Sequence, residues 1–172
     1  MKNVSVYSHI KAVLTAPFSV TVIIPFVILY LSKDLNTGWG MGRVSLGAGI
    51  LLVVPGLYLL ITTNKLFAQK GKGTLAPWNP PQRLVVAGPY RFVRNPMISG
   101  VLFILAGEAF LFGSIYLLAW FSFFWTMMHV VHLFYEEPGL VKRFGKDYMT
   151  YKENVPRWLP RLSPWNNGDE KD

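Results

Sequence analysis

The chain has 172 residues, of which 52% are hydrophobic and 15% charged, a composition that excludes an ordinary soluble globule. It contains no cysteine, which excludes disulfides, iron–sulfur clusters, thiolate zinc sites and cysteine nucleophiles. The net charge of +8 does not indicate nucleic acid, because the basic residues lie between apolar segments, where membrane proteins carry them. We therefore predict an all-α integral membrane bundle of about four transmembrane helices, a single domain over residues 1–172.

Residues 1–67 hold the first two predicted spans, at 16–31 and 44–67. Pro25 and Pro55 lie inside them, and lipid-embedded helices tolerate proline because neighbouring groups satisfy the freed carbonyls. Small residues on the second span, such as Gly47 and Gly49, could pack helices within one chain or between chains.

Residues 68–96 form a long connection that is rich in glycine, proline and basic residues and lacks acids. The positive-inside bias predicts that this loop and both termini are cytoplasmic, giving a multi-pass protein. Its prolines make it too rigid for a flexible linker, so we predict that it packs into a defined site. At its end Asn95 is a predicted N-cap and Pro96 a first-turn proline, and the free N–H groups there could bind a ligand. A plain helix cap is the alternative.

Residues 97–134 are too long for one span and are broken by Gly113-Ser114, which predicts a helical hairpin with arms at 97–112 and 115–134. Residues 135–165 are amphipathic. Leu140, Phe144, Tyr148 and Tyr151 recur there at helical spacing, which predicts a cytoplasmic helix at the membrane surface, in contact with the bundle. Residues 166–172 read as a tail.

Acids and histidines cluster at the end of the last span. Glu136-Glu137 is a candidate ligand-binding pair, or else a solvated pair bridging Arg91 or Arg94. His129, His132 and Glu136 share one helical face. They could supply metal ligands, but metal sites usually draw on more than one element, so we predict no metal and a polar lining for a substrate cavity.

Two further charged residues have more than one interpretation. Glu108, in the middle of the hairpin's first arm, could pair with a histidine, line a substrate tunnel or lie near the far interface. Arg157 could hold an anion or anchor in lipid headgroups.

The second half of the chain carries five short motifs in order: Gly88-Pro89-Tyr90-Arg91, Arg94-Asn95-Pro96 with Gly100, Glu136-Glu137, Phe144-Gly145-Lys146-Asp147-Tyr148, and Val155-Pro156-Arg157-Trp158-Leu159-Pro160. In these motifs, residues 77–160 resemble the isoprenylcysteine carboxyl methyltransferase family, a group of small membrane enzymes that also resembles the phospholipid methyltransferases. The resemblance implies an S-adenosylmethionine-dependent methyltransferase whose cytoplasmic loop binds the cofactor.

Carried over by position, the resemblance implies cofactor contacts at Gln82, Arg83, Leu84, Val85, Tyr90, Asn95, Pro96, Met97, Ile98 and Glu136. Three positions depart from the family's pattern. Asn95 replaces a histidine, Ile98 replaces a tyrosine, and His132 stands where carboxyl methyltransferases place a substrate-binding arginine. The last departure weakens the case for a prenylcysteine carboxylate as substrate.

We predict His132 and Glu136 as catalytic residues, and His129, His132 and Arg157 as substrate-binding residues. A carboxylate nucleophile would need no base, whereas an amine could give its proton to His132 or Glu136. The predicted substrate is a lipophilic small molecule, a lipid or a prenylcysteine-like compound that enters from the bilayer. Membrane lipids are further predicted partners, nucleic acid is not, and the oligomeric state is left open. The residues leave two other functions open: a membrane reductase with a nicotinamide cofactor, and a non-catalytic lipid-binding protein.

Overall fold

The computed structural model describes residues 14–35, 42–69 and 84–166. Within these ranges there are helices, turns and irregular segments but no strand, which confirms the all-α prediction for this part of the chain. The elements in chain order are a π-helical segment Leu14–Ile23, α1 (Ile24–Leu31), α2 (Arg43–Gln69), a 3₁₀ turn Gly88–Arg91, α3 (Pro96–Phe112), α4 (Ile115–Val131), a π-helical turn His132–Glu136 and α5 (Glu137–Asn154).

Two helical stretches of the described residues are long and apolar enough to cross a membrane, Arg43–Leu66 and Ile115–Asn154. In the second, the apolar part is α4, since α5 carries charged residues along its length. Pro17–Leu31 and Pro96–Phe112 are apolar but shorter. The prediction of about four spans therefore stays a prediction, while a helical membrane protein agrees with both long stretches.

The hairpin break lies where the sequence predicts it. Gly113 adopts the left-handed conformation at φ +55°, which glycine reaches without steric cost, and ends α3. The side chain of Ser114 then accepts a hydrogen bond from the N–H of Leu117 and caps α4. The local sequence is sufficient to reverse the chain here.

Helices α2 and α3 pack closely because glycines face each other at two levels. A Cβ atom added to Gly56 would lie 2.8 Å from the carbonyl oxygen of Gly100, and one added to Gly49 would lie 2.9 Å from that of Gly107. Within each helix the two glycines are seven residues apart, so they lie on one face of each of the two antiparallel helices. Gly49 therefore packs within the chain, whereas Gly47 has no neighbour within 4 Å.

Helix α5 follows α4 through the π-helical turn without a break and begins at Glu137. Pro138 does not interrupt it, because a first-turn proline needs no N–H partner. The predicted amphipathic face is confirmed. Tyr148, Tyr151 and Val155 form a buried cluster, with Leu140 and Phe144 packed against it.

The C-terminal segment, residues 155–166, folds back over the loop that precedes α3. Backbone N–H groups of Arg161 and Trp165 donate to the carbonyl oxygens of Phe92 and Arg91, each at 2.9 Å. The N–H of Arg94 donates to the carbonyl oxygen of Pro156, also at 2.9 Å. These bonds hold the loop, α3 and α5 together at one end of the molecule.

Candidate functional site

The loop before α3 packs through its side chains. Val85, Ala87 and Tyr90 are buried together with Leu66 of α2. The hydroxyl of Tyr151 donates a 2.7 Å hydrogen bond to the carbonyl oxygen of Tyr90. Burial, and then the nearby Tyr151 and the charge of Glu136, raise the pKa of Tyr90 well above its usual range, so its phenol stays neutral.

The predicted cofactor residues of this loop therefore divide into two groups. Gln82 and Arg83 lie outside the described residues. Leu84 packs against the tyrosine cluster of α5, while Val85 and Tyr90 point into the protein. The cofactor contacts of these side chains stay a prediction, while Pro89, Phe92 and Val93 of the same loop line a cavity described below.

The start of α3 supplies donors at the same end. Asn95 occupies the N-cap position as predicted, but its side chain makes no capping hydrogen bond, and Pro96 is the first-turn proline. Met97 and Ile98 follow in the first turn, half-buried. A helix start without a side-chain cap leaves backbone N–H groups available to polar atoms of a ligand.

Glu137 is the centre of a buried ion cluster that ties the loop to the start of α5. Its Oε1 accepts hydrogen bonds from Arg94 at 2.8 Å and from Arg157 at 2.7 Å. Its Oε2 lies 2.9 Å from Nζ of Lys152. The side chains of Glu137 and Arg94 are 7% and 9% exposed. The sequence left open a solvated acid pair that bridges to Arg91 or Arg94. Glu137 does form an ion pair with Arg94, but this ion pair is buried rather than solvated.

Electrostatics in this cluster favour the charged carboxylate. Burial alone would raise the pKa of Glu137, but the hydrogen bond from Lys152 and the charges of Arg94 and Arg157 outweigh it and hold the pKa below its usual value. The guanidinium of Arg157 is therefore engaged inside the protein. Its predicted role in substrate binding is not tested by this arrangement.

Glu136, the neighbouring acid, points the other way. Its side chain is 48% exposed, and one of its oxygens pairs with Nδ1 of His132 one helical turn back. His132 is 4% exposed, and its Nε2 is buried without a hydrogen-bond partner among the residues that the structure describes. The π-helical turn contains both residues, and π turns are frequent at functional sites.

Trp158 of the C-terminal segment joins the two histidines of this helix. Its indole N–H donates a 3.1 Å hydrogen bond to Nδ1 of His129. Its ring meets His132 edge-on, with centroids 5.6 Å apart. The structure thus brings together the predicted residues His129, His132 and Glu136 and adds Trp158, for which the only sequence signal was its motif.

In the part of the chain that the structure describes, Glu108 has no histidine partner, and the acids and histidines form no metal site. His129 and His132 bond elsewhere, so neither is the partner of Glu108, whose Oε2 is buried without a hydrogen-bond partner among the described residues. In the same part of the chain, no group of three histidine, aspartate or glutamate side chains could share a metal ion.

An apolar cavity of about 700 Å³ lies beside this cluster. Its walls come from α2, the loop, α3, α4 and the C-terminal segment. The lining residues are Leu52, Tyr58, Leu59, Thr62, Gly88, Pro89, Phe92, Val93, Ser99, Leu102, Phe103, Ala106, Phe121, Trp125, Trp158 and Pro160. Trp158 therefore lines the cavity and contacts both histidines. Sequence reasoning missed this cavity, because its walls come from segments that are distant in the chain.

Comparison with known proteins gives one match. A family model described as PEMT, phospholipid methyltransferase, matches residues 44–147, more than half of the chain. No curated protein and no solved structure matches. The matched residues include α2 from Val44 onward, the Gly88-Pro89-Tyr90-Arg91 and Arg94-Asn95-Pro96 motifs, α3, α4 and the Glu136-Glu137 pair.

Proposed function

Because the chain belongs to the phospholipid methyltransferase family, we propose that it transfers a methyl group from S-adenosylmethionine to a lipophilic acceptor at the cytoplasmic face of the membrane. Membership implies a membrane methyltransferase that acts on lipids. The cofactor, the membrane side and the residue roles belong to the proposal. Its main structural support is the apolar cavity, which reaches the loop before α3, and the resemblance implies that this loop takes part in cofactor binding.

The donor and acceptor groups at this end of the molecule fit S-adenosylmethionine. The half-exposed carboxylate of Glu136 can accept hydrogen bonds from an ammonium group or from ribose hydroxyls. The uncapped N–H groups at the start of α3 can donate to a carboxylate. The loop before α3, with its side chains packed inward, can lie against the adenine. When bound, the cofactor supplies an electrophilic methyl group on a sulfonium.

The protein's own groups would then position the acceptor and move one proton. The cavity holds the lipophilic body of the acceptor and excludes water, which orients its nucleophile. The carboxylate of Glu136 holds Nδ1 of His132, so that Nε2 is the free position of the ring. In this proposal, Nε2 of His132, which adjoins the cavity through Trp158, takes the proton that a protic acceptor loses.

The proposal is tested by calorimetric titration of the detergent-purified protein with S-adenosylhomocysteine, with NADPH as the comparison ligand. We expect saturable binding of S-adenosylhomocysteine alone. Glu136→Gln should weaken this binding by about tenfold or more, because a hydrogen bond to a charged group contributes roughly 1.5–3 kcal/mol.

The matched control is Glu153→Gln, which removes an exposed glutamate from α5 and should leave binding unchanged. Binding of NADPH would favour the reductase. If neither ligand bound, a non-catalytic lipid-binding protein would be the better explanation, and the proposed function would be wrong.

A further inference from the structure

His129 of α4 contacts two tryptophans that line the apolar cavity. The ring of Trp125, one helical turn before it, has its centroid 6.2 Å from that of His129, and the ring of Trp158 from the C-terminal segment is 6.3 Å away. Both tryptophans line the cavity, whereas His129 is not among the described residues that do so. His129 therefore contacts the cavity wall without forming part of it.

The contact between His129 and Trp158 is directional. The indole N–H of Trp158 donates a 3.1 Å hydrogen bond to Nδ1 of His129. An indole N–H can only donate, so Nδ1 is the acceptor and the proton of the neutral imidazole is on Nε2. A partly buried indole N–H in an apolar wall needs a partner, because an unsatisfied donor is costly. His129 therefore sets the orientation of the indole ring.

The main chain beside Trp158 is held by other contacts. The guanidinium of Arg157 bonds to Glu137, and the carbonyl oxygen of Pro156 accepts a 2.9 Å hydrogen bond from the loop before α3. These contacts place the backbone but do not fix the rotamer of the indole. Loss of the hydrogen bond to His129 would therefore release the side chain of Trp158 while the segment stays folded.

The groups that the proposed function assigns to the cofactor lie elsewhere. The carboxylate of Glu136 is on the π-helical turn, and the uncapped N–H groups belong to the start of α3. In the part of the chain that the structure describes, the hydrogen bond and ring contacts of His129 go to Trp158 and Trp125 and not to these groups. A change at His129 should therefore act on the cavity wall and not on the cofactor groups.

We propose that His129 is a positioning residue for the methyl transfer: it holds the indole of Trp158 in the cavity wall, and this wall orients the lipid acceptor. The inference rests on the proposed function. Orientation matters because the acceptor's nucleophile must lie in line with the methyl group of the donor. From the sequence, His129 is predicted to bind the substrate directly; in this proposal it acts on the acceptor through Trp158.

Nuclear magnetic resonance of the indole N–H groups tests the proposal. The chain has six tryptophans, each with one such signal, and Trp158→Phe identifies the signal of Trp158. The full-length protein is labelled with ¹⁵N-tryptophan in detergent. His129→Leu removes the acceptor, so we expect the indole proton of Trp158 to shift upfield. His129→Asn keeps an acceptor oxygen near the position of Nδ1 and should leave the signal close to that of the wild type.

The acceptor probe is dihexanoyl phosphatidylethanolamine, a short-chain phospholipid with an amine. We expect it to shift the Trp158 signal of the wild type saturably. His129→Leu should bind it about fivefold more weakly, an effect of the size that one net hydrogen bond supports, and His129→Asn should restore most of the affinity. All variants should bind S-adenosylhomocysteine equally. Val130→Leu, at an exposed neighbouring position outside the cavity wall, is the matched control and should change neither affinity.

Three results would overturn the positioning role. They are an unchanged Trp158 signal or phospholipid affinity in His129→Leu, a wild-type Trp158 signal that does not respond to the phospholipid, and an equal loss of S-adenosylhomocysteine binding in His129→Leu, which would indicate a general structural role. If the wild type binds S-adenosylhomocysteine while one of these results is found, the positioning role alone fails. If the wild type does not bind it, the proposed function fails as well.

Discussion

Glu137 and Glu136 are adjacent in the chain and of the same chemical type, yet they have different surroundings. Glu137 is buried among Arg94, Lys152 and Arg157, while Glu136 is exposed and pairs with His132. Successive helical positions differ by about 100° around the axis, so only one of two neighbouring acids can face the loop. The exposed acid remains available to a ligand, and the buried one stabilises the fold.

The ion cluster leads to a prediction about Glu137→Gln. Removing the charge leaves the buried guanidinium of Arg94 and the partly buried one of Arg157 without their counter-ion, so we expect a loss of about 3 kcal/mol in the free energy of unfolding. Chemical denaturation in detergent measures it. Glu153→Gln, on the exposed face of α5, should have no effect and serves as the control.

The same substitution should alter the pH dependence of stability. The pKa of Glu137 is lowered in the folded state, so its contribution is present above the unfolded value of about 4.3 and is lost as the pH falls through the folded value. The wild type should therefore lose stability in that acidic range, and Glu137→Gln should lose less. Parallel pH profiles for the two proteins would contradict this account.

At the scale of elements, the α2–α3 contact depends on the absence of side chains. A Cβ atom on Gly56 would lie 2.8 Å from the carbonyl oxygen of Gly100, and one on Gly100 would lie 2.9 Å from that of Gly56. Small residues let membrane helices approach closely, and this approach brings Tyr58, Leu59 and Thr62 of α2 to the cavity wall. The glycine pairs therefore help to shape the site as well as the bundle.

Gly56→Ala should separate these helices. The added methyl group would lie 2.8 Å from the carbonyl oxygen of Gly100, and we expect a cost of about 1–3 kcal/mol, as for other overpacked sites. Thermal unfolding in detergent measures the effect. Gly47→Ala is the matched control on the same helix, because its methyl group would meet nothing within 4 Å and alanine favours helix. Equal unfolding temperatures for both variants would contradict the close packing.

At the scale of the whole molecule, the described charges lie mainly at one end. The loop before α3, α5 and the C-terminal segment contain most of the basic residues, while the hairpin break at Gly113 lies at the opposite end of α3 and α4. The positive-inside bias then predicts that the candidate site is cytoplasmic. This arrangement would let a water-soluble cofactor and a lipophilic acceptor reach the cavity from different sides.

The predicted topology can be tested by cysteine labelling, because the natural chain has no cysteine. We expect Ile115→Cys, exposed beside the hairpin break, to react with an impermeant maleimide in intact cells. Lys146→Cys, exposed on α5, should react only after the cells are permeabilised. Labelling of both from the same side would contradict a membrane crossing by α4.

Much of the helical architecture was readable from the sequence, because hydrophobicity and turn chemistry are local properties. The long apolar segments predicted α2 and α4, Gly113-Ser114 predicted the hairpin break, and Asn95-Pro96 predicted the start of α3. The tyrosine-lined face of α5 was equally readable from its spacing. The cofactor residues and the number of spans remain predictions.

Only the tertiary structure decided which groups meet. The sequence could not show that Glu137 binds Arg94 and Arg157 while Glu136 stays exposed, because burial depends on the segments that pack around a helix. Nor could it show that Trp158 bonds His129, or that five separate described segments line one apolar cavity. Helices follow from neighbouring residues, whereas a site requires contacts between residues far apart in the chain, and the folded packing alone determines those contacts.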